Sequence, residues 1–561
     1  MKRGKAVVLL LTILLIALAV VFGRNEVGMR NFPFSVTVSS DGIQQELFCM
    51  KLGGEFYVFL PGYARKAETR IRTNPVYDVF IEGEKLMEGQ SCAVFPVNTK
   101  LQLYFRSLGN EGYETVTFVQ SGNVATMYIH VPSGDMEYIH EQKGNEEPGW
   151  IRVYTKTGDL DYAGSLETIK GRGNATWMAD KKPYSLELSQ EADLLGLGKA
   201  ARWVLLSNSY DQSHLRNKLA FDLAKKVDMA YSPDCIWTDL YLNGEYAGLY
   251  LLSERNEVHP QRVDIAPDQS FLVALEPDWR LQEHGYPYVQ TDSGTAFRIH
   301  HSTIALNDVE RIWQSAENAI FAEDGYDPVT GKCWDELIDL DSWARKYLIE
   351  EIFANTDAGL ASEFFYYEQS DGRIYAGPVW DMDVTLRETA EPWLATRSVL
   401  AGRPHLTSTA DKNYFYELLQ KQAFYSRVKE LYQLEFRPLL CQLLESGLES
   451  YVKQTAQAVQ ANQVRWNRRD YTEKLAEVVD FLPIRMELFD DYWIHGEQMF
   501  LVQVQQYNRV WAFVVYPGET LEFLPDMEEG AWYRVDTGEI LDKTLPVDRD
   551  LMLAVKEHPE S

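Results

Sequence analysis

Cysteine is scarce in this chain, and so is positive charge. Its five cysteines among 561 residues (Cys49, Cys92, Cys235, Cys333 and Cys441) are odd in number and far apart. No Cys-x-x-Cys or Cys/His spacing occurs, so the pattern indicates neither a zinc site nor a disulfide framework, and the thiols read as small buried apolar groups. Lysine plus arginine total 54 against 83 acidic residues, a formal net charge of −29. Such a surface repels nucleic acid and anionic lipid, which argues against nucleic-acid binding and leaves phosphate chemistry to a local basic pocket. Tandem repeats and low-complexity tracts are missing too. Aromatic residues are plentiful, with 32 Tyr, 25 Phe and 14 Trp in a chain that is 45% hydrophobic, so the material is globular. Its length suits two to four packed domains.

One long apolar run stands at the start. Lys2, Arg3 and Lys5 precede the uncharged stretch 6–22, and Arg24 comes after it. Residues 1–24 therefore read as a signal peptide or a short N-terminal membrane anchor, either of which leaves the rest of the chain outside the cytoplasm. From about 32 onwards come short β-like runs, "FSVTVSS", "GEFYVFLPG", "YDVFIEG", "KLQLYFRS" and "ATMYIHVPSG", broken by Gly, Pro and Asn. They predict an antiparallel sandwich-like domain over 30–140. The polar stretch 141–149 reads as a linker. Strands and helices mix over 150–495, mostly helical in the second half, and 500–561 returns to strands as a small β module. The fold class is α+β.

Six stretches of the middle region carry chemistry. "IKGRGNATW" sets Gly171 and Gly173 around Arg172, with Asn174 next. This is either a tight turn between strands or an anion cradle, where glycines let N–H groups approach and arginine offers a donor fork. "DKKPYSLEL" carries Lys181 and Lys182 into an alternating strand, where a lysine normally snorkels to the surface. "DQSHLRNKLAFDLAKKV" predicts a helix over 213–227 on Leu215, Leu219 and Leu223, capped by Asp211 or Ser213, with Arg216 and Asn217 in its first turn. "IWTDLYLNGEYAGLYLLSE" predicts a hairpin around Asn243-Gly244 that ends at Glu254. "DLDSWARKYLIEEIFANTDAG" predicts a helix capped by Asp341, with Trp343, Tyr347, Leu348 and Ile352 as its buried stripe. It stops near Asn355, ahead of Asp357 and Gly359. Last, "EFFYYEQSDGRIYAGPVW" predicts a hairpin around Asp371-Gly372 that delivers Asp381 and Asp383. Carboxylates beside a half-buried Trp380 are costly unless paired or metal-bound, the alternative being a cap or turn role.

Glycine turn, strand lysine, helix, hairpin, long helix, loop aspartate, hairpin, aspartate: a protein-kinase-like fold uses this order. The residues themselves resemble the CotH kinase family, named for spore coat protein H, through "IKGRGNATW", "KKPYSLEL", "WVLLSNSYDQSHLRNKLAFDLA", "DLYLNGEYAGLYLLSE" and "GPVWDMDVTL" over 150–494. The resemblance implies an atypical protein-kinase-like core, with a mixed β N-lobe and a mainly helical C-lobe. It also implies ATP with Mg²⁺ or Mn²⁺ as cofactors, and Ser/Thr phosphorylation of surface or coat proteins as the activity. By position, Asp381 and Asp383 fall on the metal and Asp357 in the catalytic loop. Gly171, Arg172, Gly173, Asn174, Lys182, Arg216 and Glu254 fall on the nucleotide side. The chain departs from the pattern at three places. Arg387 stands where many members have glycine, Ser362 where kinases keep asparagine, and the 213–227 helix has no glutamate to pair the lysine, a part open to Glu254. The alternative is a catalytically inert surface binding or structural protein on the same fold.

Overall fold

The computed structural model describes residues 32–355, 357–359, 361–386, 414–468, 471–506, 509–526 and 531–556. The N-terminal apolar run and Arg387 lie outside them. Among the described residues no helix is long and apolar enough to cross a membrane. The architecture is mixed α+β, and the chain divides into two compact units that each draw on separated stretches.

The first unit runs up to Ser209 and adds Ile236–Ser253 and Val452–Arg469. Its early strands form a three-stranded and a six-stranded sheet around one shared core that includes Val36, Val38, Ile71, Val58, Leu103 and Phe118. Among the described strands of this region, pairing is antiparallel except where Glu55–Leu60 runs parallel to Asn110–Gln120. Seven further strands close into a barrel, in the order Ala125–His130, Glu146–Tyr154, Leu160–Gly171, Tyr184–Asp193, Lys199–Leu206, Glu245–Glu254 and Cys235–Leu242. Every second residue points inward, as a strand's period requires: Met127 and Ile129, Ile151 and Val153, Leu186 and Leu188, Trp203 and Leu205 fill one core.

Two boundaries move. "ATMYIHVPSG", read with the sandwich, supplies the barrel strand Ala125–His130, which closes the ring by parallel pairing to Cys235–Leu242. The expected linker 141–149 runs straight into the strand Glu146–Tyr154. The Asn243-Gly244 hairpin forms as predicted, with both residues at positive φ, 50° and 85°, as its turn type demands.

The second unit holds a five-stranded sheet in the order Tyr288–Gln290, Ala296–Ser302, Ser270–Leu275, Glu363–Glu368 and Arg373–Ala376. Helices Leu306–Phe321 and Leu340–Ile352 belong to it. Trp313 stacks on Phe297 with ring centroids 3.8 Å apart, and Trp343 packs on Phe365 at 5.0 Å. Trp343, Leu348 and Ile352 are fully buried, which bears out the predicted stripe. Its cap differs. Asp339, not Asp341, accepts the Ser342 N–H at 2.8 Å, while Asp341 pairs with Arg427 at 2.7 Å and Arg345 at 3.3 Å. The C-terminal strands form a four-stranded sheet over a small core of Val502, Val504, Phe513 and Trp532. Cys49, Cys92 and Cys235 are buried free thiols, and Cys333 and Cys441 are half-buried ones.

Candidate functional site

The hairpin around Gly372 hands the chain to Gly377-Pro378-Val379-Trp380, and Trp380 stacks on Phe221 with centroids 5.8 Å apart. The next three residues form a small device. Asp381 takes a left-handed backbone at φ 63° and is exposed. Met382 is completely buried, and its N–H donates to the Asn217 side chain at 2.9 Å. Asp383 is buried, with 8% of its surface exposed. The methionine is the anchor; the backbone turn lifts one carboxylate into solvent and tucks the other beneath. Aspartate tolerates this conformation better than most residues. The puzzle of a core-bound run ending in two acids resolves into one presented and one retained.

The helix Arg216–Lys226 holds this segment from its first turn. Asn217 takes Met382, and Arg216 donates to the Leu386 carbonyl at 3.4 Å. Arg216 is 1% exposed and its guanidinium also meets Asp211 at 2.8 Å and Glu477 at 2.9 Å. Expected on the nucleotide side, Arg216 stands as a buried strut, with Nη1 on Asp211 and Nη2 on Leu386 and Glu477. The other oxygen of Asp211 accepts the Arg216 N–H at 2.9 Å, so the predicted capping carboxylate does serve the helix start.

Asp357 is exposed in the turn after helix Leu340–Ile352. That helix ends in a reciprocal backbone cap. Ala354 N–H donates to the Glu351 carbonyl at 3.1 Å and Asn355 N–H to the Glu350 carbonyl at 2.9 Å, with Ala354 in the left-handed region at φ 50°. Four non-glycine residues, Ala354, Ser362, Asp381 and Leu386, have positive φ between 45° and 63° within this short span. Backbone strain of that kind gathers where the surroundings must hold a geometry, and here it brackets both aspartates.

Glu254 lies elsewhere in the unit. Its carboxylate takes Arg262 at 2.6 Å and the Asp234 N–H at 2.8 Å. Burial pushes it up to about 7 against the pull of the Asp234 N–H and Arg262. Expected to stand in for the missing helix glutamate, it is already paired with an arginine of its own unit.

The remaining predicted residues belong to the first unit. Gly171 closes the strand Leu160–Gly171, and a Cβ there would sit 2.2 Å from the Trp177 ring. Gly173 has φ 79°, which favours glycine, and its carbonyl accepts Lys143 at 2.9 Å. Arg172 N–H donates to the Pro183 carbonyl at 3.2 Å, and Asn174 is exposed just before a short 3₁₀ turn. These features make a braced turn. Lys182 precedes the strand rather than sitting in it, donates to the Trp177 carbonyl at 2.8 Å and lies 4.9 Å from that ring. It lines a cavity of about 380 Å³ with Tyr184, Tyr250, Arg465 and Trp466.

Its neighbour Lys181 is the buried lysine. The ammonium donates to the Leu249 carbonyl at 2.5 Å and to Asn462 Oδ1 at 2.8 Å, and burial drives its pKa well below the usual lysine range.

Sequence reasoning missed three acids and an amide near Asp357 and Asp381. Glu276 directly follows the central strand Ser270–Leu275, pairs with Arg280 at 2.7 Å, and is raised by burial, with the charge of Asp381 adding to the effect. Glu350 and Glu363 are buried beneath the Asp357 turn, and Asn355 touches both aspartate segments. Two consecutive glutamates, Glu350 and Glu351, in the last turn of a helix oppose its dipole and were the available signal. Lys346 and Arg485 compensate them, at 2.9 and 3.2 Å.

Among the described residues no three His, Cys, Asp or Glu side chains gather into a metal cage. A Mg²⁺ shared with a nucleotide needs only one or two protein carboxylates, and the exposed Asp381 beside Asp383 fits that smaller demand. A family model described as CotH kinase protein matches residues 169–488, which is 320 of the 561 residues. No curated protein matches the chain.

Proposed function

The chain belongs to the CotH kinase family, and from that premise we propose an extracytoplasmic atypical Ser/Thr protein kinase that transfers the ATP γ-phosphate to surface or coat proteins. The observation that carries this reading is the Asp381-Met382-Asp383 device. A buried anchor and a left-handed backbone present one carboxylate, and the Asp357 turn is tied to the same anchor through Asn355. Asp381, with Asp383 as its neighbour, would hold Mg²⁺ or Mn²⁺, which when bound neutralises charge on the transferring phosphate.

Asp357 orients the acceptor hydroxyl and takes its proton as the oxygen bonds to the γ-phosphorus and the bond to the leaving ADP oxygen breaks. On this reading the Gly171–Asn174 turn, Arg172 and Lys182 would meet the nucleotide phosphates. The N-terminal run 1–24 exports or anchors the protein, and the sandwich and C-terminal sheet act as spacer or adhesion modules.

Purified full chain with labelled ATP, Mg²⁺ or Mn²⁺ and a Ser-rich acceptor tests the reading. Asp357→Asn should cut turnover at least about a hundredfold while nucleotide still binds. Asp381→Asn should abolish transfer and change stability by no more than about 1 kcal/mol. Full activity in the Asp381 variant would remove the assignment. Nucleotide binding without transfer by wild type, to any acceptor or to itself, would favour the inert alternative, which Ser362 at the usual asparagine position supports.

A further inference from the structure

Beneath the Asp357 turn lies a chain of buried polar groups that helix capping does not require. The backbone cap of helix Leu340–Ile352 is complete without any side chain. Yet Lys346 Nζ donates to Glu350 Oε1 at 2.9 Å, and Asn355 Nδ2 donates to Glu350 Oε2 at 2.6 Å. Asn355 Oδ1 accepts the Asp357 N–H at 3.1 Å. The same Nδ2 reaches Met382 Sδ at 3.6 Å. Lys346 and Glu350 are fully buried, and Asn355 is 4% exposed.

The amide of Asn355 has one orientation that fits. Its nitrogen faces only acceptors, a carboxylate and a thioether, and its oxygen faces a donor. A second buried carboxylate, Glu363, accepts the Gly359 N–H on the far side of the turn. Burial opposes the charge on Lys346, but Glu350 and Glu363 outweigh it and keep the ammonium protonated.

We propose that Asn355 is a positioning residue for phosphoryl transfer, locked by Lys346 and Glu350, and that it sets the Asp357 backbone in register with the Asp381-Met382-Asp383 segment. The proposal rests on the kinase reading above for its catalytic consequence, but its structural content stands independently. The Asn355 side chain touches both the turn bearing the hydroxyl-orienting acid and the anchor of the metal-side acids. Fixing Nδ2 on a charged, buried acceptor fixes Oδ1, and Oδ1 fixes the direction in which Asp357 leaves the helix. Asp357 itself is exposed, and the Asn355 side chain holds the backbone from which its carboxylate leaves.

Two measurements on the full chain test it. In steady-state kinetics Asn355→Ala should lower kcat by about thirtyfold or more, with KM for ATP within about twofold, because positioning is lost and nucleotide contacts are not. Glu350→Ala should do the same. The double variant Lys346→Met/Glu350→Gln keeps an amide oxygen for Asn355 and removes both charges together, so it should retain at least about a third of wild-type kcat.

In hydrogen exchange, Asn355→Ala should raise exchange of the Asp357 amide at least about tenfold and leave the amides of helix Leu340–Ile352 unchanged. Unchanged kcat in Asn355→Ala, or equal acceleration of exchange throughout the helix, overturns the proposal in favour of a general stability role. If wild type transfers no phosphate, the kinase reading falls by itself, and the exchange result still decides whether Asn355 sets the Asp357 backbone.

Discussion

Replacing Asn462 by leucine tests how the barrel tolerates a buried ammonium. Asn462 is 3% exposed, and its Oδ1 accepts two donors, Lys181 Nζ at 2.8 Å and the Leu249 N–H at 3.1 Å. Leucine removes both acceptor contacts at nearly constant volume. Lys181 keeps the Leu249 carbonyl and the face of the Tyr250 ring, 4.6 Å from its centroid, and the Leu249 N–H loses its Asn462 acceptor. A buried hydrogen bond is worth about 0.5–1.5 kcal/mol, and an orphaned buried donor costs about 1–3 kcal/mol, so the loss should be about 2–4 kcal/mol. Relaxation is limited, because Arg465 still donates to the Tyr246 carbonyl at 2.8 Å and Trp466 to the Ala247 carbonyl at 3.0 Å, pinning the helix in place. Urea unfolding of the first unit reads the total, and exchange of the Leu249 amide reads the local part, with acceleration of about a hundredfold expected for 3 kcal/mol. The companion Lys181→Met/Asn462→Leu should lose less than the single variant, since replacing both partners of a buried polar pair is cheaper than orphaning one. A single-variant loss under about 1 kcal/mol would refute the reasoning and mean that water, not Asn462, satisfies the lysine.

The same geometry sets other expectations. Lys182→Ala should weaken ATP binding by about 1.5–3 kcal/mol if the lysine contacts phosphate, and calorimetry showing no change would assign it to the cavity wall alone. Asp239 is fully buried, accepts the Tyr246 hydroxyl at 2.8 Å, and is pushed by burial from 3.8 up to about 7. The folded state therefore binds a proton that the unfolded state has released, so this group's contribution is present below about pH 4 and is lost as pH rises to about 7. Asp239→Asn should flatten that fall by at most about 3–4 kcal/mol, and an unchanged pH–stability curve would count against it. Ala354→Gly should raise stability by about 0.5–1 kcal/mol by relieving the left-handed alanine, and a drop in melting temperature would show that the backbone there is not strained.

Local pattern carried much of this molecule. Asn243-Gly244 and Asp371-Gly372 are turns whose chemistry is written in two residues, and the stripe of Trp343, Leu348 and Ile352 comes from helical spacing alone. The turns that carry Asp357, Asp381 and Asp383 were legible because the helix and hairpin before them are local patterns too. Lys181 and Lys182 were not separable. Both precede the strand that starts at Tyr184, so alternation assigns neither, and the acceptor that buries Lys181 is 281 residues away. Distance in sequence also hid the fate of Arg216, whose partner Glu477 is 261 residues on. For Asp339 and Asp341 the competition was local, and Arg427 decided it by claiming Asp341. The strand Ala125–His130 carries the same alternation as its predecessors; its pairing with Glu146–Tyr154 on one side and Cys235–Leu242 on the other takes it into the barrel.

The barrel's composition from separated stretches sets a schedule for its synthesis. All seven strands have been made once Glu254 is reached, but the segment Val452–Arg469 that completes the unit begins about 200 residues later. At about 5–20 residues per second the nascent barrel waits roughly 10–40 s for Asn462. Through that interval the Lys181 side chain and the Leu249 N–H have only solvent where the amide will sit, so the ring closes around hydrated polar groups and dries when the late helix docks. A chain released before residue 452 would carry every strand and still hold an open, wet end. Completion of this unit is a late event governed by the far end of the message, and a premature stop in the helical region would injure the β-barrel that precedes it.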